Sequence, residues 1–464
     1  MSDAVERALS DVTLFPLWLD NPAAPAVEGR LIGRTEADLV IVGGGFTGLW
    51  GALQAKEANP EREVVLIEAH TIPTGASARP CAIFSTSVMH GLSNALRLYP
   101  NDMETLEALG RDNFEGFNDA LARHEINAEV EWGGEMTVAV GEANIPAVKE
   151  EFELHKKYGH DIVYLDKDQV QEQLRSPLFA AGMYTRSHSG TLHPAKLCWG
   201  LKASALKLGV KIYELTPLTR LEPRGAEILV KTHDGEIRAR KVLLATNAFG
   251  AGHKHIKRRV AAIRDRIIAT EPLSEEQLAR LGWANRQGVY DTRTQLNYMR
   301  LTKDNRMLFG GRLGYYFNNE TDPQADRDIE VYRRLTGTFL QTFPQLDDVK
   351  VSHAWGGPIA LTTRMSVHFQ PYHDGRVLYA GGYSGFGVSG SRFGSRLALA
   401  ILDDEKIPER ELALAKTMPN MILPEPFRWI GAKMTMYALD GVDEKGGWRR
   451  PWLRLVRALG FPIY

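Results

Sequence analysis

The chain has 464 residues, of which 44% are hydrophobic and 24% are charged. That composition is typical of globular proteins and excludes collagen-like, disordered and disulfide-rich chains. The 56 basic and 57 acidic residues give a formal net charge of -1, which argues against nucleic acid as a partner, because phosphate binding favours a basic surface. The two cysteines, Cys81 and Cys198, are widely spaced and predict neither a disulfide framework nor a metal site.

The ends of the chain bear on its location. The first residues lack a basic region followed by an apolar run, so we expect no signal peptide. No window approaches about 18 uninterrupted apolar residues, so we expect no transmembrane segment and a cytoplasmic protein. The end of the chain from Pro424 is rich in Trp and Arg. This basic amphipathic end either lies on a membrane surface or a partner, or caps its own body.

The clearest pattern along the chain begins at Ala37. Residues 38–42 form a short apolar run, three glycines follow, helical spacing of apolar residues continues to Ala55, and a second apolar run occupies residues 63–68. Strand, glycine turn, helix and strand within roughly 30 residues predict a βαβ unit and therefore a parallel sheet.

Residues 43–48, Gly-Gly-Gly-Phe-Thr-Gly, match the dinucleotide-binding pattern G-x-G-x-x-G in that context. Gly43 permits the tight turn, Gly45 lets the backbone approach a pyrophosphate, and Gly48 allows close packing of helix and strand. The N-terminus of the helix supplies N–H groups and a positive dipole for phosphate. Glu68, which ends the second strand, is expected to accept hydrogen bonds from ribose hydroxyls and to repel a 2′-phosphate.

Four further segments resemble the family of FAD-dependent amine oxidoreductases that includes D-amino acid oxidase, glycine oxidase, sarcosine oxidase and γ-glutamylputrescine oxidase. They are residues 75–79, 241–248, 297–311 and 379–388. With the glycine motif they span residues 37–403, nearly the whole chain. Their order and spacing are most similar to the γ-glutamylputrescine oxidase-like branch.

The resemblance implies an α/β fold in which a Rossmann-like FAD-binding domain is interleaved with a substrate domain containing a mixed or antiparallel sheet, as in glutathione-reductase-like and p-hydroxybenzoate-hydroxylase-like proteins. The flavin would lie at the junction of the two domains. The expected division is 37–115, 190–260 and 350–415 for FAD binding, 116–189 and 261–349 for substrate, 1–36 as an N-terminal arm and 416–464 as a C-terminal helical tail.

The resemblance also implies FAD as the cofactor and a set of residues that contact it. Glycines before the last long helix would let its N-terminal N–H groups approach the flavin and stabilise the charge of its reduced form. The expected FAD-binding residues are Gly43, Gly45, Phe46, Thr47, Gly48, Glu68, Ala69, Ser77, Arg79, Leu218, Thr246, Asn247, Gly382, Gly385, Phe386, Gly387 and Val388.

Departures from the family pattern bear on the flavin and on the substrate. Where relatives of this branch continue with glycines, this chain has Pro80 and Cys81, and Cys81 is either an inert buried thiol or the site of a covalent flavin bond. Amino-acid-oxidising relatives carry Gly-Leu-Arg-Pro, whose Arg pairs with the substrate carboxylate. The matching stretch 355–358 here lacks Arg, which argues against an ordinary α-amino acid unless Arg300 or Arg312 substitutes.

Candidate substrate residues are Tyr298, Arg300, Trp355, His368 and Tyr383, since aromatic faces can hold an amine by cation–π attraction. The resemblance implies oxidation of a primary or secondary amine by hydride transfer to flavin N5, giving an imine and then aldehyde plus amine. The small-molecule amine would share the site with oxygen or an electron carrier as acceptor. Alternatives are a dehydrogenase that uses a carrier, a non-catalytic FAD-binding subunit of a larger oxidoreductase, and a flavin hydroxylase that requires reduced nicotinamide and oxygen.

Overall fold

The computed structural model describes residues 2–253 and 255–461, so the last three residues of the expected C-terminal tail lie outside the described part. The strands, in chain order, are β1 Gly33–Val42, β2 Val64–Ile67, β3 Ile83–Ser85, β4 Glu135–Val140, β5 Ile162–Leu165, β6 Phe179–Thr185, β7 Ser189–Thr191, β8 Lys211–Tyr213, β9 Arg220–Arg224, β10 Glu227–Lys231, β11 Gly235–Leu244, β12 Ala261–Pro272, β13 Gly288–Asp291, β14 Tyr298–Leu301, β15 Arg306–Tyr315, β16 Val351–Leu361, β17 His368–Tyr372 and β18 Val377–Gly381.

The α-helices are α1 Ser2–Leu9, α2 Phe46–Ala58, α3 Leu92–Leu98, α4 Met103–Arg123, α5 Ile145–Lys157, α6 Lys167–Gln173, α7 Pro194–Lys207, α8 Glu275–Leu281, α9 Ile329–Thr342, α10 Gly387–Leu402, α11 Ala413–Lys416, α12 Phe427–Leu439, α13 Val442–Lys445 and α14 Arg449–Ala458. Among the described residues, none of these helices is long and apolar enough to cross a bilayer.

The first sheet has the strand order β17-β18-β11-β1-β2-β8, with the β9–β10 hairpin joined to β11. Its five strands from β18 to β8 run parallel, and β17 adds an antiparallel edge. The central strands are buried on both faces, because α2, α7 and α10 cover one face and the segment after β11 covers the other. Such double cover explains why these strands are continuous apolar runs in the sequence. The predicted βαβ unit is confirmed as β1, α2 and β2.

The second sheet has the order β16-β12-β15-β14-β13-β4-β6-β5. Its strands pair antiparallel except for β13 and β4, which pair parallel, so the sheet is mixed. Helices α1 and α9 pack on it through an apolar core that includes Val5, Phe309 and Phe339. The expected α/β fold with a second, mixed sheet is confirmed. Strand β16 pairs with β12 here, although the sequence-based division assigns residues 350–415 to FAD binding. The domain boundaries themselves stay a prediction.

Both ends of the chain are tied to this body by specific contacts. The indole N–H of Trp18 donates to the carbonyl of Pro80 at 2.9 Å. Near the other end, the hydroxyl of Thr294 donates to Asp443 at 2.6 Å, and Arg312 pairs with Asp440 at 2.8 Å. The C-terminal helices therefore pack beside the second sheet.

Candidate active site

A cavity of about 920 Å³ is lined by both sheets. The first sheet contributes the carboxyl ends of β1, β2 and β11 through Val42, Ile67 and Leu244, and the second contributes β12, β14 and β16. In open parallel sheets, ligands bind outside the carboxyl ends of the strands, so this cavity is where the topology places a cofactor.

The turn between β1 and α2 brings backbone close to the cavity at three glycines. Gly43 has φ +112°, and a Cβ there would lie 2.8 Å from the carbonyl oxygen of Ala245. A Cβ at Gly48 would lie only 1.8 Å from the Gly43 carbonyl oxygen, which shows how tightly α2 meets β1. A Cβ at Gly45 would lie 2.9 Å from Ser77 Oγ. These are the positions that the sequence motif assigns to glycine, and larger residues would open the turn.

The first turn of α2 has the properties of an anion site. Its N-cap residue is Gly45, so the N-cap position has no side chain to occupy the N–H groups of the first turn. The Phe46 N–H donates to Ser77 Oγ at 2.9 Å, and Thr47 Oγ1 donates to the Tyr383 hydroxyl at 3.0 Å. Backbone N–H groups at an uncapped helix N-terminus, with the positive end of the helix dipole, favour a phosphate group.

Glu68 follows β2 and lies on the cavity wall. Its carboxylate accepts hydrogen bonds from the N–H groups of Gly44 at 2.7 Å and His70 at 3.0 Å. Those backbone bonds hold the side chain in place, and a carboxylate has lone pairs left for the two hydroxyls of a ribose.

A second uncapped helix N-terminus opens into the same cavity. Helix α10 follows Gly385, whose φ is +104°, and its N-cap Phe386 makes no side-chain cap. Residues 385–388 lie on the wall, and the His90 ring packs on Phe386 with centroids 4.3 Å apart. Burial lowers the pKa of His90 to about 4, so its imidazole is neutral near pH 7.

The chemistry of this wall fits FAD. The close glycine contacts and the first helix N-terminus suit the pyrophosphate, Glu68 suits the adenosine ribose, and the second helix N-terminus suits the electron-rich edge of a reduced flavin. Most of the expected FAD-binding residues line the cavity: Gly43, Gly45, Phe46, Thr47, Glu68, Ala69, Ser77, Arg79, Leu218, Thr246, Asn247, Gly385, Phe386, Gly387 and Val388.

Two of the expected FAD-binding residues, Gly48 and Gly382, do not line the cavity and instead pack against residues that do. Gly48 packs α2 on the turn. The Gly382 N–H donates to Asn247 Oδ1 at 3.1 Å, and a Cβ at Gly382 would meet Thr362 Cγ2 at 2.5 Å. Both glycines therefore support residues that line the cavity.

On the second sheet, Asp265 and Tyr298 form a polar pair on the cavity wall. Asp265 lies on β12, where side chains alternate between the two faces, so it faces the cavity while Arg264 and Arg266 point away and pair with the buried Asp326. The Tyr298 hydroxyl donates to Asp265 Oδ2 at 2.5 Å, and the Arg266 N–H donates to Oδ1 at 2.9 Å.

Burial sets the electrostatics of this pair. Desolvation raises the pKa of the Asp265 carboxyl, and the Tyr298 hydrogen bond and the Arg266 N–H oppose that rise. The pKa of Tyr298 is raised well above its ordinary value by burial and by the nearby Asp265, so the phenol stays protonated and remains a donor. The pair presents an acceptor that is poorly hydrated and suited to a cation.

Trp355 and Arg79 close the neighbouring part of the wall. The Trp355 indole N–H donates to the Arg79 carbonyl at 3.0 Å. The Arg79 guanidinium donates to the carbonyls of Thr74, at 3.1 Å, and Gly356. A Cβ at Gly357 would lie 2.3 Å from Arg79 Cδ. The Arg79 side chain is thus packed against residues 355–358, and its guanidinium donates hydrogen bonds to backbone carbonyls.

Arg300, a candidate substrate residue, is not among the residues that line the cavity. It is two residues beyond Tyr298 on the same strand face, but there it is covered. Its guanidinium donates to the carbonyl of Leu192 at 2.8 Å and lies 5.3 Å from the centre of the Trp18 ring. Burial lowers its pKa. Arg312, the other substitute considered, pairs with Asp440 and is not on the wall either.

Two more candidate substrate residues lie elsewhere than expected. His368 is fully buried on the edge strand β17, with its ring 5.3 Å from that of Tyr379, and it is absent from the wall. Burial and the charge of Arg364 lower its pKa to about 3. Tyr383 reaches the cavity, but its hydroxyl contacts Thr47 at the start of α2, so it belongs to the cofactor side.

Sequence reasoning missed Asp265 and Tyr290, which also lies on the wall. A signal was present for Asp265, because Arg264, Asp265 and Arg266 interrupt an apolar strand with three charged residues. Only the pairing of β12 with its neighbours shows which of the three faces the cavity. Cys81 also lies on the wall, and burial raises its pKa to about 12, so it is a protonated thiol rather than a reactive thiolate.

Comparison with known proteins identifies the family of the chain. The sequence model of the family described as FAD dependent oxidoreductase matches residues 38–399. The chain is 32% identical to gamma-glutamylputrescine oxidoreductase of Escherichia coli over 373 residues, which cover 79% of this chain and 83% of that protein. It is 31% identical to a probable oxidoreductase, OrdL, of Haemophilus influenzae over 382 residues, covering 80% of this chain and 84% of the relative.

Solved structures agree on the fold. Glycine oxidase from Geobacillus kaustophilus superposes with a TM-score of 0.69, covering 84% of this chain and 100% of that chain at 16% sequence identity. At that identity the likeness concerns the fold alone.

Proposed function

The chain belongs to the family of FAD-dependent oxidoreductases, and on that basis we propose that it oxidises a primary or secondary amine to an imine, which water converts into an aldehyde and the released amine. The observation that carries the proposal is a single cavity that joins the FAD site to the Asp265–Tyr298 pair. The relatives named for their substrates include one that acts on gamma-glutamylputrescine, which supports an amine.

Bound FAD supplies the chemistry of accepting the two electrons and the hydrogen that leave the amine carbon. The protein's own contribution is to bind the amine, orient it and exclude water. We propose that Asp265 Oδ2, held by the Tyr298 hydroxyl, receives the substrate's N–H group. An amine must be neutral at nitrogen to lose hydride, and a poorly hydrated carboxylate with a raised pKa can take the proton that the ammonium gives up.

The aromatic rings beside this pair suit the same substrate. Trp355, Tyr290 and Tyr298 lie on the wall and offer π faces to an ammonium group or to its alkyl chain. Two arginines occur among the described residues that line the cavity. Arg79 donates hydrogen bonds to backbone carbonyls, and Arg293 pairs with Asp291. The arrangement favours an amine without an α-carboxylate over an ordinary α-amino acid.

The experiment is anaerobic reduction of the enzyme-bound flavin by a panel of amines, followed by absorbance. We expect alkyl amines and diamines to bleach the flavin, and α-amino acids to do so weakly. If α-amino acids prove the best reductants, the proposed substrate class is wrong; if no amine reduces the flavin, amine oxidation itself is refuted.

Tyr298→Phe tests the role of the polar pair. It removes the hydrogen bond to the buried Asp265 Oδ2, while the Arg266 N–H still donates to Oδ1. Loss of that donor costs about 1–3 kcal/mol, and we expect KM for the amine to rise roughly 5–150-fold. Tyr184→Phe is the matched control, because the Tyr184 hydroxyl donates to the Gly133 carbonyl at 2.7 Å and lies off the described wall. Equal effects of the two substitutions on KM would remove the pair from the substrate site.

The electron acceptor is proposed to be oxygen or a carrier. The yield of peroxide during turnover in air distinguishes the two. A stoichiometric yield of peroxide would show an oxidase. The cytoplasmic location expected from the sequence stays a prediction.

A further inference from the structure

The C-terminal helices expose an apolar stripe. On α12, Phe427, Ile430, Met434 and Tyr437 follow one another at helical spacing, and all four are exposed, Phe427 at 63% and Tyr437 at 61%. Trp448, which is 46% exposed, extends the stripe by stacking on Tyr437 with ring centroids 6.1 Å apart. We call these five residues the C-terminal apolar stripe.

The stripe is part of a wider concentration of exposed apolar side chains. Among the described residues, 18 large hydrophobic side chains are exposed, and ten of them lie between Met421 and Leu459. Single exposed hydrophobic residues are ordinary, but a contiguous apolar surface on a folded protein marks a binding surface. Other side chains make the packing contacts of these helices: Ala432 and Met436 of α12 pack on the second sheet, and Ala438 of α12 and Leu453 of α14 belong to one buried cluster.

Exposed basic side chains lie on the same two helices, and Arg449 contacts the stripe itself. Lys433 on α12 and Arg450, Arg454 and Arg457 on α14 are all exposed. The Arg449 guanidinium lies 5.2 Å from the centre of the Tyr437 ring and 5.4 Å from that of Trp448.

Two exposed carboxylates of this region, Asp440 and Asp443, are engaged by the body. Asp440 pairs with Arg312, and Asp443 accepts a hydrogen bond from Thr294. Among the described side chains, the flanks of the stripe are therefore positively charged.

We infer that this surface docks on an anionic lipid bilayer. A helix face with apolar and aromatic side chains, bordered by Lys and Arg, lies in the interfacial plane with its rings at headgroup level and its cations on lipid phosphates. A second copy of the chain fits less well, since a symmetric interface through this surface would bring two equally basic patches together. The inference does not depend on which amine is oxidised.

The test is sedimentation of the holoenzyme with vesicles of phosphatidylcholine alone and of phosphatidylcholine with roughly one-third phosphatidylglycerol. We expect binding to the anionic vesicles only, weakening as salt is raised, because the Debye length falls to about 3 Å at 1 M salt. Absence of binding to anionic vesicles at low salt would overturn the inference.

Two pairs of substitutions locate the surface. Arg450→Gln with Arg454→Gln removes two cations, each worth about fivefold at an anionic surface, so we expect roughly 20–30-fold weaker binding. The matched control is Arg34→Gln with Arg240→Gln, two exposed arginines on β1 and β11. An equal loss in the control would assign the binding to net charge and overturn the proposed surface.

A third pair, Phe427→Ser with Tyr437→Ser, tests the apolar contribution. These side chains are exposed, so we expect flavin absorbance and melting temperature to be retained while vesicle binding weakens at both low and raised salt. If light scattering instead shows a dimer that this pair of substitutions dissolves, the stripe is an interface between copies of the chain and the lipid assignment is wrong.

Discussion

Gly48→Ala tests whether the glycine turn holds the cofactor. The added Cβ would lie 1.8 Å from the Gly43 carbonyl oxygen, whereas real Cβ atoms essentially never approach a neighbour closer than 3.0 Å. The obstacle is backbone, so α2 and the turn must move apart by about 1 Å, and overpacking of this kind costs about 1–3 kcal/mol. Since the same turn presents N–H groups to the pyrophosphate, we expect that cost to appear as roughly 5–150-fold weaker FAD binding.

The assay is FAD affinity of the deflavinated protein, followed by quenching of flavin fluorescence, together with the melting temperature of the apoprotein. Gly51→Ala is the control on the same helix, because its Cβ would meet the Leu243 side chain at 3.2 Å, and a side chain can give way. We expect Gly51→Ala to change FAD affinity only slightly. Unchanged FAD affinity in Gly48→Ala would refute the reasoning that close helix–strand packing forms the site.

Three further substitutions test other parts of the structure. Arg300→Met should lower the melting temperature, because the Leu192 carbonyl loses its donor. It should leave the ratio of kcat/KM between carboxylated and uncarboxylated amines unchanged, and a changed ratio would show that Arg300 contacts the substrate. Asp326→Asn should lower the free energy of unfolding by about 3–5 kcal/mol in urea titrations, since it leaves two buried arginines without their carboxylate, and a loss below about 1 kcal/mol would contradict that pairing. Burial raises the pKa of Glu135 to about 7, so the folded state favours its neutral form and the wild type should lose stability as pH rises from its ordinary value of 4.5 through about 7. Glu135→Gln should remove that pH-dependent loss. The variant should therefore be more stable than the wild type by about 1–3 kcal/mol at pH 8 and equally stable at pH 4, and equal stability of the two proteins at pH 8 would refute the role of Glu135.

The dinucleotide site could be predicted from sequence because its signals are local. One stretch of chain, residues 38–68, contains the apolar run, the glycine turn, the helix and Glu68. The residue types in it are set by the local backbone, which needs glycine where the turn is tight or packs closely. The two helix N-termini could be anticipated for the same reason, since Gly45 is the N-cap of α2 and Gly385 lies two residues before the start of α10.

The substrate side was decided by the tertiary structure. Asp265, Tyr298 and Trp355 come from three different strands of the second sheet and meet only through strand pairing. Arg300 shares a strand face with Tyr298, yet the Leu192 carbonyl and the Trp18 ring cover it, and no local pattern encodes such cover by distant segments. Local sequence therefore indicated the proposed FAD site, while the choice of side chains that line the proposed amine site depends on strand register and on burial by remote parts of the chain.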